Sequence, residues 1–116
     1  MAALAPVMPQ QVPSVELKDL PAGCALLDVR EDDEWAAGRA PGATHVPMSE
    51  LAGRLGEVPS GEQLYVICRS GGRSARVTAY LNSNGWDALN VGGGMLAWEA
   101  ARRPMEADGA GQPQVI

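Results

Sequence analysis

The chain has 116 residues, of which 46% are apolar and 20% are charged, and its formal net charge is −5. This length suits one domain with its own hydrophobic core, and no apolar run approaches the roughly 20 residues that cross a bilayer. The negative charge argues against nucleic acid and membrane surfaces as partners, and the start of the chain lacks the basic residues of a secretory signal, so we expect a cytoplasmic protein.

Short apolar segments alternate with helical segments along the chain. We predict strands at residues 25–29, 44–46, 64–67 and 88–91, and helices at residues 14–20, 31–37, 49–55, 73–84 and 95–101. Ser14 and Ser49 are candidate N-caps, and Gly38 and Gly85 are placed to end helices. This alternation predicts an α/β domain whose central parallel sheet is covered by helices on both faces.

The two ends of the chain differ from this pattern. Residues 1–13 contain three prolines and no charge, and residues 106–116 are mostly small or polar. Chain ends of this kind are poorly ordered unless other contacts hold them. We therefore predict a flexible N-terminal tail, one domain over residues 14–105 and a flexible C-terminal tail.

The chain contains two cysteines, Cys24 and Cys68, and one histidine, His45. They do not show the spacing of a zinc site, so we predict neither a metal site nor a cofactor. In a reducing compartment both thiols should be free. Cys24 has no basic neighbours, which favours a structural role over that of a resolving thiol. His45 is interpreted as a core or edge residue, because we identify no nearby partner that would make it a base.

Residues 68–74 form the most informative segment, Cys-Arg-Ser-Gly-Gly-Arg-Ser, and directly follow the strand predicted at 64–67. Ligands of parallel sheets bind outside the carboxyl ends of the strands, and Cys68 lies at such an end. The N–H groups of the turn, the positive end of the following helix and nearby guanidinium groups all favour a thiolate there. The pattern predicts a nucleophilic cysteine, with a buried structural cysteine as the alternative.

Four segments, in this order, resemble those of the single-domain rhodanese family. They are residues 26–31 (Leu-Leu-Asp-Val-Arg-Glu), 38–47 (Gly-Arg-Ala-Pro-Gly-Ala-Thr-His-Val-Pro), 68–74, and 93–98 (Gly-Gly-Met-Leu-Ala-Trp). The resemblance implies a rhodanese-like domain and a sulfurtransferase in which Cys68 carries a persulfide. Members of the family take a sulfane sulfur from a small anionic donor such as thiosulfate and pass it to cyanide or a thiol. A thioredoxin-like or sulfur-carrier protein is a further candidate acceptor.

A thiolate that attacks an anionic donor needs positively charged partners. Arg69 and Arg73 are expected to bind the sulfonate end of thiosulfate and to stabilise the departing sulfite. The backbone N–H groups of the loop are expected to hold the persulfide anion. Gly71 and Gly72 permit the positive φ angles that such a curled backbone requires.

Other residues near the loop are assigned supporting roles. Ser70 and Ser74 are candidate hydroxyl donors to the sulfur, and Ser74 is also a candidate N-cap for the following helix. Asp28 and Arg30 lie at the end of the first predicted strand, where Asp28 is expected to hold the rim of the pocket by accepting hydrogen bonds from the 39–43 segment or from a nearby arginine.

One departure from the family pattern and two other functions stay open. Arg39 replaces the usual histidine, either as a surface substitution or as added charge near the mouth of the site. A cysteine phosphatase is disfavoured, because its phosphate loop has one residue more between cysteine and arginine than Cys68 and Arg73 have here. The last alternative is a persulfide carrier that does not turn over, or a module that only docks a protein partner.

Overall fold

The computed structural model describes residues 4, 7–8 and 11–116 of the chain. Its strands are β1 (Ser14–Glu16), β2 (Ala25–Asp28), β3 (Thr44–His45), β4 (Leu64–Ile67) and β5 (Ala88–Gly92). They form one sheet in the order β1-β5-β4-β2-β3, and every neighbouring pair is parallel. The α-helices are α1 (Asp32–Ala37), α2 (Gly72–Asn82) and α3 (Gly94–Ala100), and 3-10 helices cover Leu17–Asp19, Met48–Gly53 and Leu55–Glu57.

The predicted parallel α/β sheet is confirmed, and helices pack on both of its faces. Successive side chains of a strand point to opposite faces. Val66 of β4 therefore packs in one buried cluster with Val77 of α2, whereas the neighbouring Ile67 packs in the other cluster with Met95 of α3. Cys68, two residues after Val66, belongs to the first cluster. The sheet thus directs the thiol toward α2.

The segment 14–20 does not form the predicted helix capped by Ser14. It begins as the edge strand β1, in which Ser14 pairs with Asn90 and Val15 with Val91. The N–H of Asn90 also donates to the Pro13 carbonyl at 2.8 Å. This pairing satisfies backbone groups along β5 that a separate helix would leave without a strand partner. A three-residue strand is too short for its sequence to show the alternation that distinguishes it from a helix.

Two other predicted helices differ in their boundaries. The segment 49–55 forms two 3-10 helices instead of one α-helix, and glycines at positions 53 and 56 weaken α-helical structure there. Helix α2 begins at Gly72 because Gly71, with φ of 114°, is its N-cap. Ser74 is therefore not the predicted N-cap but a buried residue in the first turn of α2.

The two predicted tails are described to different extents. Residues 1–3, 5–6 and 9–10 of the predicted N-terminal tail lie outside the described residues. Residues 106–116 lie along α1 and the turn after it: Arg39 and Glu106 exchange two backbone hydrogen bonds of 2.9 and 3.0 Å, and the N–H of Gln114 donates to the Ala37 carbonyl at 2.9 Å. The predicted mobility of this C-terminal segment stays a prediction, now with defined contacts against which it can be measured.

No helix in the described part of the chain has the length and apolar character needed to span a membrane.

Candidate active site

Cys68 directly follows β4 and only 1% of its surface is exposed. The N–H of Gly71 donates to the Cys68 Sγ at 3.1 Å, and the Ser74 Oγ lies 3.2 Å from the same sulfur. The left-handed conformation of Gly71, which favours glycine, turns its N–H back toward the sulfur. The structure thus brings together three of the predicted site residues around one buried thiol.

The glycine-rich turn before α3 holds the start of the active-site loop. The N–H of Met95 donates to the Cys68 carbonyl at 2.8 Å, and that of Leu96 donates to the Arg69 carbonyl at 3.0 Å. A Cβ at Gly94 would collide with both carbonyl groups, and Gly94 also has a positive φ of 55°. A glycine is therefore required where the backbone of α3 approaches the loop.

Arg73 does not project freely into the space around the thiol. Its Nη1 and Nη2 atoms donate to Oε1 and Oε2 of Glu34 at 2.6 and 2.8 Å. This hydrogen-bonded pairing lowers the pKa of the Glu34 carboxyl and raises the pKa of Arg73. The guanidinium charge is thus compensated by α1, so the predicted contact of Arg73 with a donor anion stays a prediction.

Glu34 is a site residue that the sequence reasoning missed. The sequence analysis assigns it no role in the site, but its side chain is only 13% exposed. It also closes the N-terminal capping box of α1, because its Oε1 accepts the N–H of Glu31 at 3.0 Å. Its partner Arg73 is 39 residues away in the chain, and β2 lies next to β4 in the sheet. Helices α1 and α2 are neighbours because β2 and β4, which precede them, are adjacent in the sheet. The alternation of strands and helices in the sequence does not reveal this strand order.

The other predicted loop residues are exposed. Arg69, Ser70 and Gly72 lie on the surface of the loop. The Nε of Arg69 donates to the backbone oxygen of Ile116 at 2.9 Å, so the C-terminal segment reaches the edge of the site. Of the two predicted cations, Arg69 is the more accessible to a ligand from solvent.

Asp28 and Arg30 form a fully buried ion pair at the end of β2. The Nε and Nη2 atoms of Arg30 donate to the two carboxylate oxygens of Asp28 at 3.0 and 2.7 Å. Its Nη1 and Nη2 atoms also donate to the carbonyls of Glu34 and Gly38 at 3.2 and 2.7 Å. Since both charges are paired and hydrogen-bonded, the pair fixes α1 against the sheet. Arg30 is thus the nearby arginine that the sequence analysis named as one possible partner of Asp28.

Asn90 of β5 is a second residue that the sequence reasoning missed. It is 1% exposed, its Oδ1 accepts from the Ser74 Oγ at 2.5 Å, and its Nδ2 donates to the Gly71 carbonyl at 3.3 Å. The sequence does carry a signal for this role, because Asn90 is a polar residue within an apolar strand. Buried amide side chains in proteins are hydrogen-bonded, so such a residue indicates a buried polar partner.

Arg39 and His45 flank Trp35, outside the loop. The His45 ring stacks on the Trp35 ring at a centroid distance of 4.5 Å, and its Nε2 donates to the Arg30 carbonyl at 2.7 Å. The Arg39 guanidinium lies 5.0 Å from the Trp35 ring centroid and pairs with Asp108 at 3.0 Å. Arg39, which replaces the usual histidine of the family, therefore contacts α1 and the C-terminal segment.

Cys24 lies at the opposite end of the sheet from Cys68, because it precedes β2 whereas Cys68 follows β4. It lines a cavity of about 350 Å³ together with Trp98 and Arg103. Burial raises the pKa of its thiol. This position does not suit a resolving thiol, which must reach the sulfur on the nucleophile.

Comparison with known proteins agrees with this geometry. The chain matches the model of the Rhodanese-like domain over residues 14–101. YtwF of Bacillus subtilis is 42% identical over 79 residues, which are 68% of this chain and 77% of that protein. A protein of Allochromatium vinosum named sulfurtransferase is 37% identical over 83 residues, 71% of this chain and 78% of its own length. A solved rhodanese-related protein from Thermoplasma volcanium superposes with a TM-score of 0.77 at 28% identity, covering 83% of this chain and 99% of its own. The chain therefore belongs to the rhodanese-like family of sulfurtransferases.

Proposed function

We propose that this protein moves a sulfane sulfur from thiosulfate or a similar anionic donor to cyanide or a thiol, through a persulfide on Cys68. The observation that carries the proposal is the placement of the buried Cys68 sulfur at the carboxyl end of β4, where the Gly71 N–H donates to it. The name of the Allochromatium relative supports sulfur transfer as the reaction class.

The reaction has two displacement steps. The Cys68 thiolate attacks the sulfane sulfur of thiosulfate, the S–S bond of the donor breaks, and its electron pair leaves with sulfite. The product is the anion Cys68–S–S⁻. Cyanide then attacks the terminal sulfur, leaves as thiocyanate and returns the thiolate. A thiolate acceptor follows the same course and leaves as a persulfide, so no external oxidant or reductant enters the cycle.

Backbone groups at the start of α2 are the best candidates to hold the terminal sulfur. The first α2 hydrogen bond is the one from the Ala75 N–H to the Gly71 carbonyl, at 3.2 Å. The N–H groups of Gly72, Arg73 and Ser74 precede it and point toward the N-terminal end of the helix. Together with the helix dipole they favour an anion at this place. The persulfide anion gains this stabilisation without a side-chain cation.

The buried thiol also favours a compact donor. Only 1% of the Cys68 surface is exposed, whereas its loop neighbours Arg69, Ser70 and Gly72 are exposed, so we expect a donor to approach from their side. Arg69 can exchange its hydrogen bond with the Ile116 backbone oxygen for one with a sulfonate, because guanidinium groups bind such oxygens well. Arg69 is thus assigned to direct contact with the donor, and Arg73 to the architecture of the loop and to the positive charge near the donor.

A second function is favoured by one observation. Both predicted cations already have partners, Arg73 with Glu34 and Arg69 with Ile116. A site in which the charge of Arg73 is already compensated by Glu34 suits a carrier that receives its sulfur from a protein persulfide and passes it to a protein. Such a carrier would form the Cys68 persulfide but turn over small acceptors slowly.

Steady-state formation of thiocyanate from thiosulfate and cyanide tests the proposed turnover. The purified protein should produce thiocyanate, the Cys68→Ser variant should not, and the matched Cys24→Ser variant should keep full activity. Turnover by the Cys68→Ser variant above the uncatalysed rate would overturn the assignment of the nucleophile.

A further inference from the structure

Four residues form a closed ring of hydrogen bonds around the Cys68 sulfur. The Gly71 N–H donates to the sulfur, the Gly71 carbonyl accepts from the Asn90 Nδ2, and the Asn90 Oδ1 accepts from Ser74. The Ser74 Oγ lies 3.2 Å from the sulfur and completes the ring. Cys68, Ser74 and Asn90 are each 1% exposed or less. Water therefore does not replace these contacts.

The orientation of the Asn90 amide follows from its neighbours. The Gly71 carbonyl can only accept, so the Asn90 atom 3.3 Å from it must be the nitrogen. The reverse orientation would oppose two oxygen atoms in a buried site. The Asn90 atom that faces Ser74 is therefore the carbonyl-type oxygen, which also can only accept.

This orientation assigns the single hydrogen of the Ser74 hydroxyl. At 2.5 Å, the Ser74 Oγ and the Asn90 Oδ1 require a hydrogen between them, and only Ser74 can supply it. Toward Cys68 the Ser74 oxygen then presents a lone pair. It can accept a hydrogen bond from the Cys68 S–H, but it repels a thiolate. The ring is thus complete only when Cys68 is protonated.

We infer that Asn90 is a positioning residue that acts through Ser74 on the protonation of Cys68, a role that rests on the proposed use of Cys68 as the nucleophile. While Asn90 accepts the Ser74 hydrogen, the ring favours the resting thiol. It acts against the Arg73 guanidinium and the N–H groups at the start of α2, which favour the thiolate. When the proton leaves, Ser74 can turn its hydrogen to the sulfur only by giving up the contact with Asn90. Unpaired buried acceptors are unfavourable, so formation of the thiolate is coupled to breaking that contact.

The persulfide relieves this conflict. In Cys68–S–S⁻ the negative charge is on the terminal sulfur, and the Sγ atom is a neutral sulfur bonded to carbon and sulfur. Ser74 can then keep its hydrogen bond to Asn90 without facing a charged atom. The ring is therefore compatible with the states before and after the attack, and unfavourable only for the free thiolate between them.

The test is the pH dependence of Cys68 alkylation by iodoacetamide, measured in a Cys24→Ser background. Asn90→Leu should free the Ser74 hydroxyl to donate to the thiolate. The midpoint of the alkylation profile should then fall by about one pH unit, which means an about tenfold faster reaction at pH values below the midpoint. In the Ser74→Ala background, Asn90→Leu should not move the midpoint. An equal shift in both backgrounds, or no shift in either, would overturn a role through Ser74.

A second measurement does not depend on folding of the Asn90 variants. In the Cys24→Ser protein, the infrared S–H stretch comes from Cys68 alone, and a hydrogen bond to the Ser74 oxygen should lower its frequency relative to a free thiol. A band at the frequency of a free S–H would contradict the proposed ring. Both readouts are independent of sulfur transfer: thiocyanate formation without the midpoint shift would overturn this inference alone, and the shift without sulfur transfer would overturn only the proposed function.

Discussion

Arg73 on α2 and Glu34 on α1 form a two-point ion pair beside the active-site loop. Both guanidinium Nη atoms donate to the carboxylate, at 2.6 and 2.8 Å, and the two side chains are 28% and 13% exposed. The ion pair thereby joins α2, which begins in the loop, to α1, which follows β2. The charge of Arg73 is compensated before any donor binds. Glu34 is therefore placed to tune how much positive charge a donor anion meets.

Neutralising Glu34 should improve the use of an anionic donor. Glu34→Gln keeps a capping-box residue at the start of α1 but removes the charge that compensates Arg73. We expect the KM for thiosulfate to fall by about threefold, because a partly screened charge pair contributes a free energy of that size. Steady-state kinetics with thiosulfate and with an uncharged sulfur donor check this.

The matched control for this variant is Asp33→Asn. Asp33 is an exposed acidic residue of the same helix, so its replacement removes one charge from α1 without a contact to Arg73. It should leave the KM for thiosulfate nearly unchanged. An equal effect of Asp33→Asn and Glu34→Gln would mean that net charge, and not the pair, sets the affinity.

The same ion pair should make stability depend on pH in the acid range. The hydrogen bonds from Arg73 to the Glu34 carboxylate lower the pKa of Glu34 below the ordinary value of 4.5. The stabilisation is therefore fully present above pH 4.5 and is lost as the pH falls through the lowered pKa. In urea unfolding, Glu34→Gln should be less stable than the wild type by about 1 kcal/mol at neutral pH. This difference should disappear in acid, and a difference that stays constant down to pH 3 would contradict the assignment.

Gly94→Ala should disrupt the loop from the α3 side. A Cβ there would collide with the Cys68 and Arg69 carbonyls, and φ of 55° is already unfavourable for alanine. We expect a loss of about 3 kcal/mol or more in the free energy of unfolding, measured by chemical denaturation. Gly61→Ala is the matched control, because Gly61 has φ of 85° but open space at its Cβ position. Comparable losses in both variants would show that φ, and not the close approach, explains the glycine at position 94.

Gly38→Ala should release the C-terminal segment. Gly38 is extended, with φ of 175°, so the backbone itself tolerates alanine. Its Cβ position, however, is occupied by the Gln114 backbone and the Met105 side chain. Amide hydrogen exchange at Gln114, whose N–H donates to the Ala37 carbonyl, should be protected in the wild type and become fast in the variant. Gly53→Ala, with open space at its Cβ position, should leave this exchange unchanged.

Fast exchange at Gln114 in the wild-type protein would instead bear out the flexible tail that composition predicts for residues 106–116. The sequence shows only that this segment is small and polar, which is typical of a mobile chain end. Its contacts come from partners far away in the chain, such as Arg39 with Asp108 and Arg69 with Ile116. Composition does not encode such pairings.

The architecture could be predicted from patterns of neighbouring residues in the sequence. The site residues that were missed owe their roles to contacts between residues far apart in the chain. The strand β4 and the loop that follows it were predicted from an apolar run, two glycines and a cysteine, all adjacent in the chain. The roles of Glu34 and Asn90 depend on which strands are neighbours, because each meets the loop across the sheet. The short strand β1 is stabilised by pairing with β5 and not by its own residues. The position of Ser74 inside α2 depends on the conformation of Gly71, which places the helix start at Gly72, one residue before the predicted start.

The most direct test of the account is intact-mass spectrometry of the reduced protein after brief exposure to thiosulfate, beside the Cys68→Ser variant. We predict that the wild-type protein gains the mass of one sulfur atom, and that cyanide removes this mass while thiocyanate appears. The Cys68→Ser variant should gain nothing. No adduct on the wild-type protein, or the same adduct on Cys68→Ser, would contradict sulfur transfer from thiosulfate through Cys68.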